Sequence, residues 1–129
     1  MSVCPCGSRL EYVGCCGPLH DGAAAPTAEA LMRSRYSAFA RGLVPYLLRT
    51  WHPGTRPGEL ELDPGITWRA LQIVDTVDGG PADDTGVVEF RAVARTAGGE
   101  RHVQHERSTF RRVDGRWVYL DGGTGPLVR

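Results

Sequence analysis

A chain of 129 residues with Lys+Arg 15 against Asp+Glu 15, and a formal net charge of +0, has room for one domain and a small appendage. That balance argues against a general binder of nucleic acid or of anionic membranes, and no apolar run is long enough for a transmembrane helix. All the basic residues are arginine and asparagine is absent too, which removes Schiff-base and P-loop lysine chemistry and any Cys-His-Asn triad.

The first element is a cysteine cluster. Cys4-Pro5-Cys6-Gly7-Ser8, Tyr12 and Cys15-Cys16-Gly17 contain all four cysteines of the chain. A C-x-C pair and a C-C pair can supply four thiolates to one tetrahedral ion, and zinc is the usual occupant of such a site. Iron(II) takes the same ligands. Four protein ligands leave no open position, so the expected role is structural. A disulfide between the adjacent Cys15 and Cys16 would be strained, and Met1-Ser2-Val3 leaves no room for a signal peptide before the motif. A reducing cytoplasm, where thiolates stay available for metal, is therefore the expected location. His20 is a further candidate ligand or a neighbour that orients one.

Gly17 to Pro26 reads as linker. Thr27 is the expected N-cap of a first helix, with Glu29 in its first turn and Leu31, Met32, Tyr36 and Phe39 as its apolar stripe. Gly42 ends it. A shorter helix follows, with Pro45 early and Tyr46, Leu47, Leu48 and Trp51 as apolar surface, stopped by His52-Pro53. Gly54 to Gly65 is an expected loop with a brief extended piece at Leu60–Leu62. Four strands follow, over Thr67–Val77, Val87–Ala97, Arg101–Val113 and Arg116–Asp121. Gly98-Gly99 and Asp114-Gly115 mark hairpins. Helices first and then an antiparallel meander give an α+β fold.

Alternation along the strands assigns Leu71, Ile73, Val88, Phe90, Ala92, Ala94, Phe110, Val118 and Leu120 to the helix-covered face, together with the polar Glu106 and Ser108. The opposite face takes Glu89, Arg91, Arg95, His105, Arg107, Trp117 and Tyr119. His105, Arg107, Trp117 and Tyr119 would there form a surface suited to a protein partner.

C-P-C-G-S…Y…C-C-G resembles the SEC-C motif, the zinc-binding tail of the SecA translocation ATPase. Cys4, Cys6 and Cys15 fall on its first three ligands and Cys16 on its histidine position, while Arg9 replaces a glycine. Further stretches, among them Arg33-Ser34-Arg35-Tyr36-Ser37-Ala38-Phe39, Thr50-Trp51-His52-Pro53 and His105-Glu106-Arg107-Ser108, are similar to the YchJ-like family of bacterial proteins. That resemblance implies a SEC-C knob over residues 1–20 joined, over 21–129, to a domain similar to nuclear transport factor 2. This cystatin-like domain is a curved antiparallel sheet packed on N-terminal helices. It also implies a non-catalytic adaptor whose knob docks a protein of export or synthesis, a SecB-like chaperone or the ribosome.

Two rival functions remain at this stage. A small hydrolase or isomerase would use Glu106, His52 and Tyr36 as an acid–base set in the cone. Metal handling would use the cysteines as a labile zinc or iron store. A homodimer is compatible with all three. Against the enzyme, no Gly-x-Ser-x-Gly nucleophile elbow is present. A carboxylate facing a core is costly unless paired, so Glu106 is expected to pair with Arg33 or Arg35 of the first helix. The hydrophobic core is expected in Leu31 to Leu120, with the knob outside it.

Overall fold

The computed structural model describes residues 3–124. A single 3-10 turn, Tyr12–Gly14, leads into α1 (Cys16–His20), α2 (Ala28–Arg41) and α3 (Val44–Arg49). Four strands follow: β1 (Thr67–Asp78), β2 (Thr85–Arg95), β3 (Arg101–Val113) and β4 (Arg116–Thr124). They form one antiparallel meander in the order β1-β2-β3-β4. The chain is thus α+β, and α2 packs against β1, β2 and β4.

Local chemistry sets the ends of α2. The Thr27 hydroxyl accepts the Ala30 N–H at 3.0 Å, which satisfies one of the orphan donors of the first turn. Gly42 stops the helix in the left-handed region, at φ 74°, and its N–H turns back to the last carbonyls. Leu31, Met32 and Tyr36 deliver the buried stripe onto Val88, Phe90, Ala92 and Phe110. Pro45 sits in the first turn of α3, where its missing N–H costs nothing. Beyond α3, Trp51 pairs in parallel with Tyr119: the Tyr119 N–H donates to Thr50 O at 2.8 Å and His52 N–H to Tyr119 O at 2.7 Å. This short segment closes the outer edge of β4. Leu60 and Leu62 form no strand and instead pack on Ala38, Tyr46 and Leu47.

A short helix, Cys16–His20, stands where the start of a linker was expected, and three further expectations change. β2 begins at Thr85 rather than Val87, because the turn before it is tighter than its composition suggests: a Cβ on Gly86 would come within 2.6 Å of Gly79 Cα. That close approach lets the ladder run to Asp78 opposite Gly86. In β4 an extra residue intervenes, since Thr109 faces Asp121 but Phe110 faces Tyr119. The bulge swaps the faces. Trp117 and Tyr119 turn toward the core, while Leu120 joins Val87, Thr109 and Arg111 on the other side. Val118 stays buried. The expected outer surface of His105, Arg107, Trp117 and Tyr119 therefore does not exist as a unit. What remains is a charged cluster: His105 Nε2 meets Glu89 at 2.6 Å, and Arg107 reaches Glu89 at 2.8 Å and Asp75 at 3.2 Å.

The third change concerns the core. Cys4, Cys6 and Cys16 are buried in the same cluster as Leu31, Met32, Tyr36, Phe90 and Trp117. The N-terminal segment is a wall of the core rather than a knob outside it.

Candidate metal centre and pocket

The N-terminal turns bring four sulfurs together. The Sγ atoms of Cys4, Cys6, Cys15 and Cys16 all lie within 4.8 Å of one another. Cys6 and Cys15 are 3.6 Å apart, Cys15 and Cys16 4.0 Å. A tetrahedral ion with metal–sulfur bonds of about 2.3 Å requires sulfur edges of about 3.8 Å, and the 3.6 and 4.0 Å edges lie close to that value. No disulfide joins these cysteines.

Electrostatics point the same way. Hydrogen bonding from the Cys16 thiol holds Cys6 well below the usual thiol range, whereas Cys16 is pushed up by giving that bond and by burial. Burial also raises Cys15. Without a cation the shared hydrogen bond and burial oppose ionisation of Cys16, and burial opposes that of Cys15. A divalent ion removes that conflict.

Local sequence chemistry positions the cluster. Gly7 takes φ 84°, and a Cβ there would press on Leu71 O at 3.3 Å. Gly17 is packed more tightly, for a Cβ would fall 2.8 Å from Tyr12 O. Ser8 Oγ lies 3.2 Å from Cys15 Sγ and Ser37 Oγ 3.8 Å from Cys4 Sγ. Arg33 donates to Cys6 O at 2.8 Å and to Glu29 at 3.0 Å. His20 is not a ligand, since both ring nitrogens are engaged. Nε2 meets the Ser34 carbonyl at 2.8 Å and must donate there, which leaves Nδ1 to accept the Tyr12 hydroxyl. Its ring also meets Tyr46 edge-on at 4.6 Å. Burial lowers the His20 pKa, in keeping with a neutral ring.

A second site lies between α2 and the sheet. A pocket of about 250 Å3 is lined by Arg35, Tyr36, Gln104, Glu106, Ser108 and Tyr119 among apolar neighbours. Of the three acid–base candidates, Glu106 and Tyr36 reach this pocket. His52 does not: its Nδ1 accepts the Gly54 N–H at 2.9 Å in the loop after α3. Glu106 Oε1 and the Tyr119 hydroxyl both crowd the space over Gly122, within 3.0 Å and 2.8 Å of where a Cβ would stand. Burial, then the Glu106 charge, pushes the Tyr119 hydroxyl up to about 12. Burial does the same to Tyr36.

Arg33 is turned to Glu29 and Cys6, so the arginine that shares the pocket with Glu106 is Arg35. Glu106 acts on it through charge, which opposes the burial that lowers the Arg35 pKa to about 10. The guanidinium donates to Leu47 O and Thr50 Oγ1, both at 2.8 Å, and lies over the rings of Trp51 and Tyr119 at 5.1 and 4.7 Å. Sequence reasoning missed this stitching role, along with Ser34 and Ser37. The available signal was their spacing: Ser34 and Ser37 sit beside the apolar stripe of α2 and are wholly buried.

A family model described as YchJ, middle NTF2-like domain, matches residues 27–122. A UPF0225 protein of Streptomyces coelicolor is 61% identical over 120 residues, covering 92% of this chain and 93% of its own length. One from Corynebacterium glutamicum is 55% identical, covering 92% and 94%. The solution structure of a SEC-C motif containing protein from Rhodopseudomonas palustris superposes with a TM-score of 0.83 at 35% identity, over 96% of this chain and 99% of that one. A crystal structure of such a protein from Psychrobacter arcticus gives 0.77 at 30% identity, over 100% and 84%.

Proposed function

The chain belongs to the YchJ-like, or UPF0225, family, and from that premise we propose that it is a non-catalytic adaptor whose N-terminal cysteine segment, held by a structural zinc ion, docks a protein partner through its outer surface. One observation carries this reading. Val3, Leu10 and Val13 are 61%, 56% and 68% exposed, on a segment whose neighbouring cysteines are buried. Apolar side chains held outward on a cross-linked scaffold lose little entropy on binding, which suits a docking surface. Zinc, on Cys4, Cys6, Cys15 and Cys16, supplies cross-linking and charge neutralisation.

Burial of Cys4, Cys6 and Cys16 favours a retained ion over a labile store. The separation of His52 from Glu106 and Tyr36 weakens the acid–base set that a hydrolase or isomerase would need. The partners to test follow from the likeness to the SecA tail: a SecB-like chaperone and the ribosome. Binding of each is measured by co-sedimentation or biolayer interferometry with three proteins, namely zinc-loaded wild type, chelated wild type, and zinc-loaded Leu10→Asp/Val13→Asp. The reading expects binding by the first alone. Equal binding by the double variant, or no binding of either partner by the wild type, overturns it.

A further inference from the structure

The pocket between α2 and the sheet contains a buried hydroxyl with no use in the fold. Ser108 is 0% exposed, and its Oγ lacks any hydrogen-bond partner. A buried polar atom left unpaired costs about 1–3 kcal/mol, so native proteins rarely keep one without a reason. Ser108 sits mid-strand in β3, opposite Val88, and faces the pocket. Alanine would fill the same space without that cost.

The rest of the lining constrains what the hydroxyl could meet. Trp51, Trp68, Phe90 and Met32 make the walls largely aromatic and apolar, and Gln104 adds one uncharged polar side chain. Arg35 and Glu106 bring one charge of each sign, and the Tyr36 and Tyr119 phenols stay protonated. A ligand with a net charge would enter a site with no spare counter-charge, and burying an uncompensated ion is costly. An apolar protein cavity of about 150 Å3 accepts benzene. At about 250 Å3 this pocket takes a second ring.

We infer that the pocket binds an uncharged aromatic molecule of up to two fused rings, whose single hydroxyl or carbonyl oxygen hydrogen-bonds to Ser108. The rings lie among Trp51, Trp68 and Phe90, and the oxygen replaces the missing partner of Ser108 Oγ. None of the four cysteines lines this site.

The test uses the full-length, zinc-loaded chain and three probes: 2-naphthol, naphthalene and 2-naphthoate. Indole N–H resonances report the site, because Trp51 and Trp68 line the pocket while Trp117 does not. The expected result is saturable shifts of the Trp51 and Trp68 signals by 2-naphthol, with Trp117 still, and weaker binding of the other two probes. Ser108→Ala should weaken 2-naphthol about tenfold and leave naphthalene unchanged, as loss of one hydrogen bond of about 1.4 kcal/mol requires. Ala92→Phe, which fills the pocket from β2, should abolish binding of both. Far-ultraviolet circular dichroism confirms that each variant is folded. Absence of 2-naphthol binding, equal affinity in folded Ser108→Ala, or tighter binding of 2-naphthoate each overturns the inference.

Discussion

Arg35→Met tests whether the buried guanidinium ties the helices to the sheet. Two charge-assisted hydrogen bonds, to Leu47 O and Thr50 Oγ1, contribute about 1.5–3 kcal/mol each, and the contacts with Trp51 and Tyr119 add about 0.5–2 kcal/mol each. Opposing them is the cost of burying the cation. The fall in its pKa from 12.5 to about 10 corresponds to roughly 3 kcal/mol. Methionine relieves that cost and fills similar volume, but it leaves the Leu47 carbonyl with only a long contact from Thr50 Oγ1 at 3.4 Å. These ranges leave about 1–7 kcal/mol, and because contacts that share one guanidinium are not additive the expected net loss is about 2–4 kcal/mol. With a urea m-value of about 2 kcal/mol/M, the unfolding midpoint should fall by on the order of 1–2 M at unchanged slope. Urea titration of the zinc-loaded protein, followed by tryptophan fluorescence and circular dichroism, reads this. Arg95→Met is the control: that side chain donates only to Gly99 O at 3.1 Å on the surface, and its replacement should shift stability by about 0.5 kcal/mol or less. If Arg35→Met were as stable as the wild type, the cation's desolvation would outweigh its contacts and the stitching argument would be wrong.

Three further outcomes are expected. Chelating the metal should cost hydrogen-exchange protection in α2 as well as in residues 3–20, because Cys4, Cys6 and Cys16 share a core with Leu31 and Met32; loss confined to the N-terminal segment would restore the picture of an independent knob. Gly17→Ala should weaken zinc retention against a chromophoric chelator and lower stability by about 1–3 kcal/mol, since its Cβ would stand 2.8 Å from the Tyr12 carbonyl oxygen; unaltered retention speaks against tight packing there. The third outcome concerns pH. Burial lowers the folded pKa of His20 below 6.5, so its contribution is fully present above pH 6.5 and is lost as pH falls through the folded value. Denaturant midpoints between pH 7.5 and 5.5 should therefore drop less in His20→Gln than in the wild type, a difference that proton competition at the sulfurs cannot produce.

Elements whose ends rest on local chemistry were legible in the sequence. Thr27 and Gly42 bound α2 because a hydroxyl cap and a left-handed glycine act within one turn. Arg101–Val113 was readable between its two turns. The cysteine spacing identified a cluster whose sulfurs the fold does bring together. What was hidden depends on contacts distant in sequence. The extra residue in β4 is set by its pairing with β3, so Tyr119 and Leu120 exchanged faces. The reach of Arg35 to α3 rather than into an ion pair alone, and the turn of His52 away from Glu106, follow from how the segment Thr50 to His52, just after α3, meets β4. No pattern in the linear chain records that meeting. The packing of the cysteines onto α2 was likewise invisible, because a metal motif is recognisable without reference to what lies beneath it.

The contact of Gly7 with the Leu71 carbonyl carries a consequence for association between molecules. β1 is an edge strand of the sheet, and its ladder is interrupted between Trp68 and Ala70 and again between Ile73 and Asp75. Irregularities of that kind discourage a second chain from adding to an edge. Between them lies a regular stretch, Ala70 to Ile73, and the turn at Gly7 rests against it. The turn that carries Cys4 and Cys6 thus covers one regular part of an edge strand. Loosening of that turn would bare Ala70 to Ile73 to pairing with a second chain, so the N-terminal segment also bears on association between molecules.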